Sequence, residues 1–244
     1  MAPQARETAD VQRYLRALFG GYEPGALIEV RSRYRGGMRA AFFDATDTFT
    51  AARTIVREGL RTDVYVAVAA RRRRAGGKQA IEEIRTLWAD LDTPNARAAL
   101  EALPVAPAIV IASGTTGHLH AYWPLTDPVR VAVAEQANRR LAAQLGADSG
   151  AVTNAATILR PPGTYSYKST PPTPVVLEHL TPTTSTLDAV TAGIAEDPAP
   201  PGPQATQPST RALRSAQDPL RALDPARYVS VLTGQPVGRS RKIH

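Results

Sequence analysis

The chain of 244 residues contains no cysteine. Without thiols there is no disulfide framework, no thiolate zinc site and no cysteine nucleophile, so any metal must be held by Asp, Glu or His. Also missing is any run of about 18 apolar residues, and the opening MAPQARETAD lacks the charged-then-apolar order of a secretory signal. These absences exclude a transmembrane or disulfide-stapled secreted protein and set the expectation of a cytoplasmic one without membrane contact. Aromatic residues make up only 6% of the chain, and no strand-like segment shows the paired aromatics of a base-stacking platform. That absence argues against a non-catalytic nucleic-acid-binding module.

What the chain does have is basic charge, and its position matters more than its total. The formal charge is +7, yet from Ala205 onward seven Lys or Arg face only Asp218 and Asp224, so that segment alone carries +5. The remainder is nearly balanced, apart from one dense run, Arg71, Arg72, Arg73 and Arg74, followed by Gly76, Gly77 and Lys78.

Hydrophobic spacing gives the coarse organisation. Val11, Tyr14, Leu15, Leu18 and Phe19 recur as on one face of a helix stopped by Gly20 and Gly21. Residues 26–30 read as a strand, Asp47 or Thr48 caps a helix running to about Gly59, and DVYVAVA over 63–69 alternates as a strand. Residues 84–91 and 108–112 are short apolar strands with a helix over about 95–103 between them. The segment 118–123, after the turn SGTTG, forms a hairpin with 108–112. Pro128 opens a further helix with Val129, Val133, Ala137, Leu141 and Leu145 on one face and Gly146 past its end. Strands and helices mix without strict βαβ alternation, which predicts an α+β layer fold. The prolines at 198, 200, 201, 203 and 208 mark a linker. The domain boundaries that follow are a core over 8–195, a Pro-rich linker over 196–216 and a small basic segment over 217–244.

Chemistry concentrates in a few places. In LWADLD the side chains of Asp90 and Asp92 leave an extended strand on the same face. Two adjacent carboxylates repel and raise each other's pKa unless a cation lies between them. Mg²⁺ or Mn²⁺ suits such oxygen ligands, and a pair of ions about 3.5–4 Å apart is the usual clamp for in-line phosphoryl transfer. Edge-strand aspartates facing water are the plain alternative. His118 and His120 leave the next strand on one face, directly after a loop of Ser113, Gly114, Thr115, Thr116 and Gly117 that offers N–H groups and hydroxyls to phosphate. Asp148, beyond the helix ending at Gly146, adds a third carboxylate. Arg160 and Lys168 flank a PPG turn and offer a fork and a point charge for a triphosphate.

The ordered set LWADLD, PAIVIASGTTGHLHAYWPL, LAAQLGAD and ILRPPGTYSYK resembles the catalytic domain of the archaeo-eukaryotic primase superfamily, in the RepB-like prim-pol branch carried by plasmids, phages and integrated elements. The resemblance spans about residues 27–177. It implies a primase-polymerase core with an RNA-recognition-motif-like antiparallel sheet flanked by helices, catalysing template-directed nucleotidyl transfer in replication initiation. By it Asp90, Asp92 and Asp148 are ligands of two Mg²⁺ or Mn²⁺ ions, and His120 contacts the incoming nucleotide. Ser113, Gly114, Arg160 and Lys168 complete the nucleotide site, while Arg71 to Arg74 with Lys78 are the candidate nucleic-acid contacts. Two positions depart from the family pattern: Ser166 stands where the signature has asparagine, and Asn154 where an acidic residue is common.

The implied partners are a single-stranded DNA template, an NTP or dNTP, and a replicative helicase. The segment ARYVSVLTGQPVGRSRKIH is similar to the stretch that precedes the first zinc ligand of bacterial-type primase zinc-binding domains. On that reading the chain is a fragment of a longer protein, with zinc expected only in the continuation. The rival reading is a rolling-circle replication or relaxase nuclease, because His118-Leu119-His120 also fits the histidine-hydrophobe-histidine metal motif of those enzymes, which need a tyrosine nucleophile on a helix.

Overall fold

Val11, Tyr14, Leu15, Leu18 and Phe19 are all buried along α1 (Pro3–Phe19), as their helical spacing requires. The computed structural model describes residues 3–147 and 153–195. Asp148, the linker expected over 196–216 and the segment over 217–244 lie outside the described residues. The remaining elements are β1 (Leu27–Tyr34), β2 (Gly37–Asp44), α2 (Thr48–Gly59), β3 (Val64–Ala67), a single 3₁₀ turn (Lys78–Ala80), β4 (Glu83–Leu91), α3 (Ala96–Glu101), β5 (Ile109–Ala112), β6 (Leu119–Arg130), α4 (Val131–Leu145), β7 (Ile158–Leu159), β8 (Thr164–Ser166), β9 (Thr173–Leu180) and α5 (Leu187–Thr191). No described helix is long and apolar enough to cross a membrane.

Two antiparallel sheets result. The smaller has the order β2-β1-β3-β7 and the larger β4-β6-β5-β9-β8. In the smaller sheet Val30 pairs with Val66, and Val66 with Leu159; these residues, with Ile28 and Val64, form the face that turns into the core beneath α2. Asp47 caps α2 by accepting a hydrogen bond from the Thr50 N–H at 3.1 Å, as its sequence position predicts. In the larger sheet β4 is an edge strand, and an exposed edge invites pairing with another chain. Here α4 covers it: the Asn138 side-chain oxygen accepts the outward Trp88 N–H at 3.0 Å, with both residues buried.

The helix expected from Pro128 starts instead at Val131, and its buried face is Ala134, Ala137, Leu141 and Leu145, with Val133 39% exposed. Pro128 belongs to β6. Thr86 pairs with Pro124 and Ile84 with Val129, so residues 125–128 form a bulge opposite Arg85, and a proline without an N–H is tolerated there.

The first arginine of the basic run is a core residue. The Leu27 and Arg71 backbones exchange hydrogen bonds at 2.7 and 2.8 Å, which drives the Arg71 side chain inward to Glu29. Arg71 Nε lies 2.7 Å from Glu29 Oε2, and Arg31 Nε 2.6 Å from Glu29 Oε1. Both Arg71 and Glu29 are fully buried. Gly76 closes the loop over this cluster, where a Cβ would stand 2.3 Å from Arg31 Nη2. Removing one partner of such a pair strands a charge and costs about 3–5 kcal/mol, whereas replacing both with apolar groups costs far less. Glu29→Leu is therefore expected to lower the urea-unfolding free energy by that amount, and Glu29→Leu/Arg71→Leu to recover a large part of it. A double variant no more stable than the single would contradict the assignment.

Candidate active site

Asp90 occupies the last turn of the pleat in β4, between buried Ala89 and Leu91, and pairs across the sheet with His120 of β6. The alternation expected from LWADLD holds: Ala89 and Leu91 pack inward, Asp90 is partly covered and Asp92 is exposed. His118 and His120 project on the same side as the carboxylates. His118 Nδ1 lies 2.6 Å from Asp92 Oδ1, and His120 Nε2 lies 3.6 Å from Asp90 Oδ1. The second separation is too long for a hydrogen bond, so Asp90 Oδ1 is a buried oxygen without a partner.

Burial and the neighbouring Asp92 raise the Asp90 pKa from 3.8 to about 6, against weaker lowering by His118, Lys168 and Arg160. Burial, followed by the charge of Arg160, depresses His120 from 6.5 to about 4, so its imidazole is neutral near pH 7. A carboxylate that is hard to ionise alone, with an unpartnered oxygen and a second carboxylate beside it, suits a divalent cation. Among the described residues no group of three or more ligating side chains converges. The third acid expected, Asp148, lies outside them.

Arg160 reaches this centre from the smaller sheet. It is 8% exposed, and its guanidinium donates from Nε to Asp63 Oδ1 at 3.0 Å and from Nη2 to the Tyr65 hydroxyl at 3.1 Å, lying 5.1 Å above the Tyr65 ring. Asp63 and Tyr65 fix the position of a residue the motif pointed to, and no motif pointed to them. The signal was present, since alternation in DVYVAVA sets Asp63 and Tyr65 on one face. Lys168 is exposed, beyond β8.

In the loop from Ser113 to Gly117, the Ser113 N–H is committed to the His118 carbonyl at 3.1 Å, and its side chain is buried. The N–H groups of Gly114, Thr115, Thr116 and Gly117 make no hydrogen bond among the described residues. Gly114 has φ +82°, and a Cβ there would meet Ser166 Cβ at 2.7 Å. Ser166, in place of the asparagine of the resembled signature, is fully buried beneath this loop with its hydroxyl unpartnered. Asn154, the other departure, is exposed and closes a local turn by accepting from the Ala156 N–H at 2.8 Å.

The basic run divides. Arg71 is withdrawn into the core and is corrected from a nucleic-acid contact to a structural ion pair. Arg72, Arg73 and Arg74 are exposed, with Arg72 3.8 Å from Glu82, while Lys78 is held by Glu135 at 2.9 Å. A cleft lined by Tyr22, Ala70, Arg72, Glu83 and Arg85 lies at the opposite end of β4, about 23 Å from Asp90 by strand rise, and takes no part in this centre.

No family model matches the chain, and no curated protein matches it. Among solved structures it is similar to the archaeo-eukaryotic primase domain of a cyanophage S-2L primase-polymerase, with a TM-score of 0.58 and 17% identity over 77% of this chain and 97% of that one. Primase RepB′ gives a TM-score of 0.58 and 18% identity over 94% of this chain and 69% of that one. The catalytic domain of RepB′ in complex with initiator DNA gives 0.57 and 19% over 90% and 100%. The α+β fold, two antiparallel sheets flanked by helices, is that of the primase-polymerase catalytic core.

The two perturbed groups oppose each other in stability. Asp90 binds its proton up to about pH 6 when folded but only below about pH 4 when unfolded, so its contribution falls as pH rises through that window. His120 resists protonation down to about pH 4 when folded and accepts it near pH 6.5 when unfolded, so its contribution falls as pH drops through that window. Without divalent metal, Asp90→Asn is expected to exceed wild type in stability at pH 7.5 by roughly 1–3 kcal/mol. On acidification from pH 6.5 to 4 it should then lose stability more steeply than wild type. Urea midpoints with the same pH dependence for both proteins would show that Asp90 is not perturbed.

Proposed function

We propose that the chain is a DNA primase-polymerase, a nucleotidyltransferase that extends a 3′-hydroxyl on a single-stranded template and serves replication initiation in a mobile element or phage. The observation that carries this reading is the half-buried Asp90 carboxylate beside Asp92, its buried Oδ1 without a hydrogen-bond partner and faced by His120, on the fold of a primase-polymerase core. The neighbour solved with initiator DNA supports the partner class. In this reading Asp90 and Asp92, with Asp148, hold two Mg²⁺ or Mn²⁺ ions. When bound, such ions acidify the attacking hydroxyl and stabilise the pyrophosphate leaving group.

The chain's own residues supply position and charge. His120 is neutral at pH 7 and therefore offers a hydrogen bond to a phosphate oxygen instead of a second cation. Arg160 brings a permanent charge whose direction is set by Asp63 and Tyr65, so little reorganisation is needed when the triphosphate arrives. Lys168 is exposed and adds a mobile ammonium, and the free N–H groups of Gly114 to Gly117 add donors from the loop. The rival nuclease reading needs a tyrosine nucleophile on a helix. Tyr165 lies in β8, and the Tyr167 hydroxyl donates to the Gly59 carbonyl at 3.1 Å.

The test is nucleotide incorporation on single-stranded DNA, with and without a primer, using each nucleotide set with Mg²⁺ or Mn²⁺. Wild type should incorporate, and Asp90→Ala/Asp92→Ala should lose at least about 10³-fold in rate, as expected when groups that stabilise developing charge are removed. A tyrosine-linked DNA adduct, or no incorporation under any of these conditions, would overturn the proposal.

A further inference from the structure

The smaller sheet has two unlike faces. Pairing puts Ile28, Val30, Ser32, Val64, Val66 and Leu159 on the face beneath α2. The opposite face carries Glu29, Arg31 and Arg33 along β1, Met38, Ala40 and Phe42 along β2, Tyr65 on β3 and Ile158 on β7, as the registers Glu29↔Phe42, Arg31↔Ala40, Arg31↔Tyr65, Arg33↔Met38 and Ala67↔Ile158 require. Glu29 and Ala67 on this face are buried, but the rest of it is open: Arg33 and Met38 are exposed, and Arg31, Phe42, Tyr65 and Ile158 are half-buried. Arg160, the residue after β7, continues the same face to the candidate active site.

Charge on this face is graded. At one end Arg71 and Glu29 neutralise each other in full burial. Then comes Arg31, and then Arg33, whose side chain is 61% exposed and 3.7 Å from Asp63. The loop that carries exposed Arg73 and Arg74 is folded onto this face, since Gly76 sits directly over Arg31 and Glu29. Two aromatic residues, Phe42 and Tyr65, flank β1 opposite Glu29 and Arg31, about 12 Å apart by strand spacing and rise. Cations for phosphates together with apolar and aromatic surface for bases are the features of a single-strand-binding sheet.

We propose that this open face is the track along which single-stranded DNA reaches the centre at Asp90, with Arg33, Arg73 and Arg74 on the phosphates and Phe42 and Met38 under the bases. The proposal rests on the polymerase reading for its purpose, but its test does not. Binding of a fluorescein-labelled oligo-dT of about 20 nucleotides to the full chain is followed by anisotropy in EDTA, across a salt series. Arg33→Gln/Arg73→Gln/Arg74→Gln should weaken binding and reduce the slope of log affinity against log salt by about 2, at about 0.7 per phosphate contact. Phe42→Ala should weaken it about 5-fold or more, the lower end for loss of one stacked base, and Phe42→Tyr should keep wild-type affinity. Arg57→Gln, an exposed charge on α2, should change neither.

Equal affinity and slope for wild type, the triple variant and Phe42→Ala would overturn the track, as would absence of wild-type binding. If wild type binds through this face and incorporates nothing, the track stands and the polymerase reading falls. If wild type incorporates nucleotides while the variants bind as it does, the reverse holds.

Discussion

An aspartate near the end of a strand packed into the core, with one buried oxygen that accepts no hydrogen bond, is the constraint around which the larger sheet is organised. Asp90 cannot be moved outward, because Ala89 and Leu91 on either side of it are core residues. Nor can β4 shift its register, because the Trp88 N–H is tied to Asn138 of α4 and a one-residue slip would turn every side chain to the other face. The carboxylate is thus held where ionisation is unfavourable, beside a second carboxylate. A fold that keeps such an arrangement gives up stability at neutral pH in the unliganded state. On the proposed reading, a bound cation would relieve this cost.

The second organising feature is Arg160. It directly follows the strand that edges the smaller sheet, yet its charge is felt by Asp90 and His120 in the larger one. A guanidinium this buried needs its donors satisfied and its charge balanced. Asp63 supplies the charge, and Tyr65 supplies both a hydroxyl and a ring. Tyr65 lies on β3 of the smaller sheet, while Asp63 and Arg160 are buried directly beside its strand ends. Position at the proposed triphosphate site and organisation of the proposed template face therefore depend on the same contacts. A substitution at Asp63 therefore disturbs both.

Much of this was readable in the sequence wherever one face of an element is buried. Helices α1 and α2, the strand that carries Asp90 and leads into Asp92, and the hairpin of β5 with β6 follow from periodicity and turn residues, because burial imposes a period that side chains must obey. Strand β2 was not readable. Gly37–Asp44 is exposed or half-buried on both faces, so GMRAAFFD shows no alternation. The start of α4 was misread because Pro128 suits the first turn of a helix, and only cross-strand pairing shows it to lie in a bulge. Asp63 and Arg160 are 97 positions apart, a relation that no local pattern carries.

The same limit applies to charge and to aromatics. Four consecutive arginines look alike in sequence, but the backbone bridge between Leu27 and Arg71 assigns the first to the core and leaves its neighbours outside. Few aromatics, none paired along a strand, argued against a stacking surface, because a linear pattern tests only neighbours within one strand. Phe42 and Tyr65 come from β2 and β3 and share a face only after β1 has paired with both. Aromatic residues can thus be brought onto one face across strands when no single strand pairs them. The bulk basicity of the chain is then a poor guide to where DNA would run, since +5 of the +7 lies beyond Ala205 while the proposed track needs only a few arginines set on one open face.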